Sequence, residues 1–225
     1  MIKERILELK EKLTAENALV KKMIEESVQG LIERDAAKLS TVIKKHEPNV
    51  NWMEVDIDAA CTNIIALYHP EAKDLRTVLM LLKMNNDFER MGDAAVNMCE
   101  SAMFLIERPQ LKPFDHIPKM AEATITMLKD SMRSFIESDV ALARAVCKSD
   151  DIVDDYAESI FKELVALMTS DPTSIERALN IIRISHNLER IADLSTNIAE
   201  DAIFITEGKV IKHHVEDGKD PHARS

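Results

Sequence analysis

Five polar residues recur in the same order in two stretches of the chain that lie 100 residues apart. The stretches are NDFERMGDAAVNMCE at 86–100 and HNLERIADLSTNIAE at 186–200. On a helix that turns about 100° per residue, the four oxygen-bearing side chains of each set fall within an arc of about 80°. Each set therefore predicts a stripe of three carboxylates and one amide oxygen on one helix face. The repeated residues are Glu89, Arg90, Asp93, Asn97 and Glu100, which return as Glu189, Arg190, Asp193, Asn197 and Glu200.

A stripe whose ligand atoms are all oxygen suits hard cations, such as Mg²⁺, Mn²⁺ or Ca²⁺, or iron in an oxygen-rich site. Acidic side chains four residues apart on a helix repel each other by a few tenths of a kcal/mol, so the pattern weakens the helix unless something binds. The pattern sets the class of metal ion and not its identity. The candidate metal ligands are Glu89, Asp93 and Asn97 in the first stripe and Glu189, Asp193 and Asn197 in the second.

The alternative is a solvated acidic face without a ligand, in which Arg90 forms an ion pair within its own helix. The repetition favours a functional role, because the polar residues are kept while the apolar residues between them change. Examples of the changed positions are Phe88 to Leu188 and Met91 to Ile191. Core positions tolerate exchange of one hydrophobic residue for another, whereas polar chemistry at fixed spacing permits fewer exchanges.

The composition indicates an all-α protein. Of 225 residues, 46% are hydrophobic but only 4% aromatic, and there are 4 glycines and 7 prolines, so few residues break helices. The net charge of −11 argues against nucleic acid as a partner and favours proteins or cations. Cys61, Cys99 and Cys147 lie in helical stretches without CxxC spacing, which predicts buried thiols in a reducing compartment.

The first half of the chain predicts three helices. Apolar residues at three- and four-residue steps give one long helix over about the first 31 residues. Asp35 is the expected N-cap of the second helix, which runs to about Tyr68 and which Pro48 should kink or interrupt. Pro70 suits the first turn of the third helix, which carries the stripe to about Arg108. The segment RPQLKPFDHIP then holds three prolines and is the best candidate for a boundary, near Pro109–Pro113.

The second half repeats this plan. The segment that begins at Asp139 matches the one that begins at Asp35 with an offset of 104, and the offset becomes 100 from Leu79 onward. Asp171 and Pro172 are expected as the N-cap and first-turn proline of the last helix. The pattern predicts two tandem three-helix bundles produced by internal duplication, over residues 1–108 and 114–208. Residues 209–225 are polar and aperiodic, and they are expected to be a flexible tail.

Motifs of common enzyme sites are not found in the sequence. It contains no glycine-rich phosphate loop, no Glu-x-x-His, no GxSxG and no HExxH, so a protein that is not an enzyme is expected. No apolar run approaches the about 20 residues of a membrane span, and Met1 leads into a charged amphipathic helix rather than a signal peptide. A cytoplasmic location is therefore expected. Trp52, the single tryptophan, is interpreted as a core or interface residue.

Four segments together resemble the PhoU family, whose members are bacterial regulators of phosphate uptake. They are PEAKDLR at 70–76, DFERMGDAAVN at 87–97, NLERIADLSTNIAE at 187–200 and EGKVIKHH at 207–214. The resemblance implies a cytoplasmic homodimer that acts with a phosphate-specific ABC transporter and a phosphate-sensing histidine kinase. Such a protein helps to hold the phosphate-starvation response off when phosphate is plentiful. In some members the motif faces bind clusters of metal ions, which corresponds here to the six candidate ligands given above.

The second copy differs from the family pattern near its loop. SIER at 174–177 stands in place of DLR, and Asp74 has no acidic counterpart, so the two faces are expected to bind metal or partners unequally. Two other functions remain open. One is an accessory subunit of another phosphate or ion transporter. The other is a metal-dependent hydrolase that uses the stripes as a multinuclear site, although the sequence offers no nucleophile or general base besides the same carboxylates.

Overall fold

The structure, a computed structural model, describes residues 2–111 and 115–208, and all the regular structure in these ranges is helical. The predicted flexible tail at 209–225 and the end of the predicted linker at Pro113 lie outside the described residues. The α-helices are α1 (Ile2–Glu33), α2 (Ala36–Thr41), α3 (Glu47–Tyr68), α4 (Ala72–Ile106), α5 (His116–Glu137), α6 (Val140–Ser170) and α7 (Ile175–Glu207).

Two of the three predicted helix N-caps, Asp35 and Asp139, are confirmed. The Asp35 carboxylate accepts hydrogen bonds from the backbone N–H groups of Ala37 (2.9 Å) and Lys38 (3.0 Å) at the start of α2. Asp139 accepts one from Leu142 N–H (3.0 Å) at the start of α6. Asp171 and Pro172 are the N-cap and first residue of a short 3-10 turn, Pro172–Ser174, rather than of α7, which begins at Ile175. Each cap satisfies backbone donors that the first helical turn leaves without partners.

The predictions for the other two prolines, Pro48 and Pro70, have different outcomes. Pro48 lies in the first turn of α3, and the segment before it, Val42–His46, is a π-helical turn that joins α2 to α3. The wider turn accommodates a residue that lacks an N–H group and crowds the preceding carbonyl, so the predicted interruption is present. The prediction for Pro70 is wrong, because α4 begins two residues later, at Ala72. His69 adopts the left-handed conformation (φ 46°) that ends α3, and the chain needs these extra residues to turn.

Each repeat is a bundle, with α1, α3 and α4 in the first and α5, α6 and α7 in the second. The repeats meet mainly where α4 packs along α7, and α1 also contacts α5. Helices α4 and α7 are antiparallel, since Lys83 near the start of α4 bonds Asp201 near the end of α7. The stripe-bearing helices are therefore the central pair of the molecule, and each has its own repeat on its other side.

The core consists of aliphatic and methionine side chains with few aromatic rings, as the composition predicts; Phe88, Met91 and Met98 are among its largest members. Cys61 and Cys99 are buried, Cys147 is half-buried, and all three thiols are free. Trp52 is not a core residue, because 69% of its surface is exposed. Across residues 2–111 and 115–208, no helix has the length and apolar character that a membrane crossing requires.

Candidate functional site

The first stripe faces a second pair of carboxylates. Glu89 and Asp93 on α4 lie opposite Glu54 and Asp58 on α3, and we name these four residues the first acidic cluster. Burial raises the pKa of Glu54, and Asp58 and Asp93 raise it further. Burial also raises the pKa of Glu89, followed by the charges of Asp93 and Glu54. Mutual repulsion of this kind requires that the carboxylates lie close together in a partly desolvated groove.

The second stripe has an equivalent arrangement. Glu189 and Asp193 on α7 lie opposite Asp150 and Asp154 on α6, and we name these four residues the second acidic cluster. Burial, then chiefly Asp193 and Asp154, raises the pKa of Asp150 to about 6. The pKa of Asp193 is also raised, by partial desolvation and then by Glu189 and Asp154. Each helix bundle therefore presents one groove with four neighbouring carboxyl groups.

The sequence prediction missed the residues of these clusters that lie on α3 and α6. A signal for them exists, since Glu54 and Asp58 are four residues apart, as are Asp150 and Asp154, and this is the spacing of Glu89 and Asp93. The repeat offset hid the correspondence: an offset of 104 pairs Glu54 with Glu158 rather than with an aspartate of the second cluster. The two bundles reach a similar arrangement from positions that do not align.

The far ends of the predicted stripes lie apart from the clusters. Asn97 and Asn197 are half-buried on their helices, and in the described part of the chain neither amide hydrogen-bonds a cluster carboxylate. Glu100 and Glu200 instead lie near thiols: burial and then Glu200 raise the pKa of Cys147 to about 11. Burial, Glu26 and Glu100 raise the pKa of Cys99 to about 12. The structure thus brings together the first two acidic residues of each stripe and not the whole stripe.

Arg90 does not neutralise the first stripe by direct pairing. Its guanidinium lies 3.1 Å from Asp87 Oδ1, one turn earlier on the same helix and on the side that faces α7. Arg90 and Arg190 both lower the pKa of Glu89, although less than burial and the neighbouring carboxylates raise it. The intrahelical ion pair considered from the sequence therefore exists, but its acid is the buried Asp87 and not a stripe residue.

The clusters concentrate negative charge without forming a closed metal cage. Among the described residues, no three His, Cys, Asp or Glu side chains converge on a point where they could hold a metal ion. The carboxylates are nevertheless close enough to raise one another's pKa values, and such grooves attract hydrated divalent cations. Metal binding at Glu89, Asp93, Asn97, Glu189, Asp193 and Asn197 stays a prediction.

Comparison with known proteins gives a consistent result. The family model described as PhoU domain matches this chain twice, at residues 15–102 and 117–202. A relative from Aquifex aeolicus, named phosphate-specific transport system accessory protein PhoU homolog, is 38% identical over 206 residues, which cover 92% of this chain and 93% of the relative. The crystal structure of PhoU from Pseudomonas aeruginosa matches with a TM-score of 0.89 and 31% identity, covering 93% of this chain and 100% of that chain. The phosphate transport system regulatory protein PhoU from Streptococcus pneumoniae, at 24% identity and a TM-score of 0.87 over 93% of this chain and 99% of that one, shares the fold.

Proposed function

Since the chain belongs to the PhoU family, we propose that it is a cytoplasmic negative regulator of the phosphate-starvation response that also modulates phosphate uptake. It acts by docking onto a phosphate ABC transporter and onto a phosphate-sensing histidine kinase, as a homodimer. The observation that carries the proposal is the double family match, which accounts for both bundles, together with the transport-accessory name of a relative that aligns over nearly its whole length.

Docking is the physical route that this molecule offers. The described residues form a helical body with two acidic grooves, and the proposal assigns no catalytic step to them. A body of this kind acts by binding one state of its partner better than another, and the shift it causes cannot exceed that difference in affinity. The net charge of −11 favours basic patches on the partner, so association should weaken as salt rises.

Cation binding at the two acidic clusters is part of the proposal. Burial, and then repulsion between neighbouring carboxylates, raises the pKa values of Glu89 and Asp193. A divalent or iron-type cation that enters the groove relieves this repulsion. A bound cation also reduces the local negative charge that a partner meets. The clusters are therefore the natural place for metal occupancy to change docking, with Asn97 and Asn197 as further ligands one turn away.

A deletion strain tests the regulatory role. In abundant phosphate, a strain that lacks this protein should express a phosphate-starvation reporter that the parent strain represses, and a plasmid copy of the parent chain should restore repression. A pull-down from cells grown with and without phosphate should recover the transporter and the kinase. Normal repression in the deletion strain contradicts the proposal and leaves the accessory role at another phosphate or ion transporter as the better account.

A phosphatase assay separates the hydrolase alternative from the regulatory proposal. The purified parent chain with added Mn²⁺ should release no phosphate from a phosphomonoester above the rate of the metal alone. Turnover that disappears with Asp193→Asn would favour the hydrolase.

A further inference from the structure

Glu16 in α1 is a buried acid without a partner. It is 0% exposed, and neither of its carboxylate oxygens accepts a hydrogen bond. It lies behind the first acidic cluster: burial, followed by the charges of Glu54, Asp58 and Glu89, raises the pKa of Glu16 to about 8. Leaving a carboxyl group buried without a hydrogen bond costs several kcal/mol unless a proton or a cation compensates it.

Asn85 in α4 adds another unpaired oxygen. Its side chain is 0% exposed, and its Nδ2 donates to the Glu54 carbonyl (3.0 Å) and to Asp58 Oδ1 (2.6 Å). These two bonds fix the amide, and they leave Asn85 Oδ1 buried with no donor. Three buried oxygens, two from Glu16 and one from Asn85, therefore have no hydrogen-bond donor.

The second repeat shows that the two positions are adjacent. The offsets of 104 and 100 place Met120 and Ser185 where the first repeat has Glu16 and Asn85. Ser185 Oγ lies 3.4 Å from Met120 Sδ and donates to it, so these positions of the bundle are in direct contact. In the second repeat the same place is closed by a thioether and a hydroxyl, and no buried acid is present there.

We propose that the first repeat binds one hard divalent cation at an inner site formed by the Glu16 carboxylate, Asn85 Oδ1 and the Asp58 carboxylate. A divalent cation supplies what the three unpaired oxygens lack, and carboxylate and amide oxygens are its usual protein ligands. Asp58 keeps one oxygen on the Asn85 amide and offers the other. The site combines two carboxylates with one amide, which distinguishes it from a cluster of three acidic residues.

The half-buried side chains of Glu54 and Glu89 link this inner site to the groove, so a cation can enter from the first acidic cluster. The second repeat has no equivalent site, because Met120 offers no charge. The inner site therefore makes the two repeats unequal in the number of cations they hold. The competing occupant of the same space is a proton on Glu16, donated to Asn85 Oδ1.

Titration with Mn²⁺, followed by the loss of the free-ion electron paramagnetic resonance signal, separates the two occupants. We expect the full chain to bind one more Mn²⁺ than its Glu16→Met variant, which carries the residue of the second repeat. Glu16→Gln keeps the shape and hydrogen-bonding capacity of the side chain, and it should weaken that one site by at least about 100-fold, which exceeds the loss expected from a change outside the ligand shell.

Asp93→Asn is the control for the groove, and it should leave the inner site at full strength while changing binding outside it. Circular dichroism checks that each variant is folded, and Glu16→Gln serves if Glu16→Met does not fold. Equal numbers of bound Mn²⁺ with equal affinities in the parent and the folded Glu16 variants would overturn the proposal and assign the space to the proton.

Discussion

The two repeats share the polar face of their third helix but differ in the interior behind it. Glu89 and Asp93 match Glu189 and Asp193 in type and position, and each pair faces two carboxylates of the neighbouring helix. Behind them, Glu16 and Asn85 in one bundle stand where Met120 and Ser185 stand in the other. The acidic grooves are therefore common to both repeats, whereas the residues that fill the interior behind them differ.

A pair of small and large residues shows the same principle in the core. Gly30 on α1 faces Leu39, and a Cβ added to Gly30 would lie 2.6 Å from Leu39 Cδ2. In the second repeat the corresponding residues are Ser134 and Ala143, both buried. The second repeat therefore has a larger residue than the first on one helix and a smaller residue on the other, which partly conserves the summed volume of the pair.

The largest predicted effect comes from enlarging the residue at Gly30 while Leu39 is kept. Gly30→Ser places the second repeat's residue against Leu39 and should destabilise the protein by about 3 kcal/mol, because the clash forces the helices apart. The double variant with Leu39→Ala carries both residues of the second repeat. Its loss of stability should be smaller than the sum of the two single losses by about 2 kcal/mol. Urea unfolding of the parent, both single variants and the double variant measures this coupling. If the two losses of stability simply add, positions 30 and 39 do not compensate each other and the prediction is wrong.

The contact between α4 and α7 is also not symmetric, and a substitution of Lys83 tests this asymmetry. Its Nζ lies 2.7 Å and 2.6 Å from the two carboxylate oxygens of Asp201, which is 2% exposed. Burial raises the pKa of Asp87, which is 3% exposed, and the charge of Lys83 partly offsets that rise. Lys83→Met therefore removes a cation from buried acids, and we expect thermal unfolding to show a loss of about 2 kcal/mol.

The matched control for Lys83 is Arg183→Met at the corresponding position of α7. Arg183 is exposed, and the offset of 100 puts Ser101 in the place that Asp201 has relative to Lys83. This variant should change the stability by less than about 0.5 kcal/mol. A similar loss in both variants would show that the inter-repeat contact is symmetric after all.

Asp150 gives a smaller effect with a defined pH dependence. Its pKa in the folded protein is raised from 3.8 to about 6, so folding favours the protonated acid and stability falls as pH rises from about 4 to above 6. Asp150→Asn should remove this loss, leaving a variant more stable than the parent by about 1 kcal/mol at pH 7 and equal to it below pH 4. Thermal unfolding across this range measures it. Glu158→Gln, on the exposed side of the same helix, should keep the parent's pH profile.

The smallest effects on stability are expected within the stripes. Asp93→Asn and Asp193→Asn each remove one repelling carboxylate, so stability without metal should hold or rise by a few tenths of a kcal/mol. Calorimetric titration should show weaker divalent-cation binding in one cluster for each variant. If the parent chain binds no cation under any reducing condition, the repeated carboxylates need another explanation.

The sequence predicted the features that depend on neighbouring residues. Asp35, Asp139 and Asp171 were identifiable as N-caps because cap chemistry is local, and the stripes were visible because they recur at one offset. Pro70 was misplaced because the left-handed residue at His69, which delays α4, leaves no local signature.

The carboxylates that face the stripes could be identified only from the structure. Glu54 on α3 and Asp150 on α6 do not align when the repeats are compared. Only the packing of α3 on α4 and of α6 on α7 places them opposite the stripes. Glu16 looks like one more polar residue of a charged helix until its burial is known. Trp52 shows the reverse, because its exposure excludes the core and leaves the interface interpretation as a prediction.

Charge reversal at each groove tests the regulatory role of the acidic clusters most directly. A strain that lacks this protein receives a plasmid that encodes the parent chain, Glu89→Lys with Asp93→Lys, or Glu189→Lys with Asp193→Lys. The readout is a phosphate-starvation reporter in abundant phosphate, and circular dichroism confirms that each variant is folded. We predict that the parent represses the reporter and that each folded reversal variant leaves it on. Full repression by both reversal variants would contradict the account, because the grooves would then have no part in the regulation.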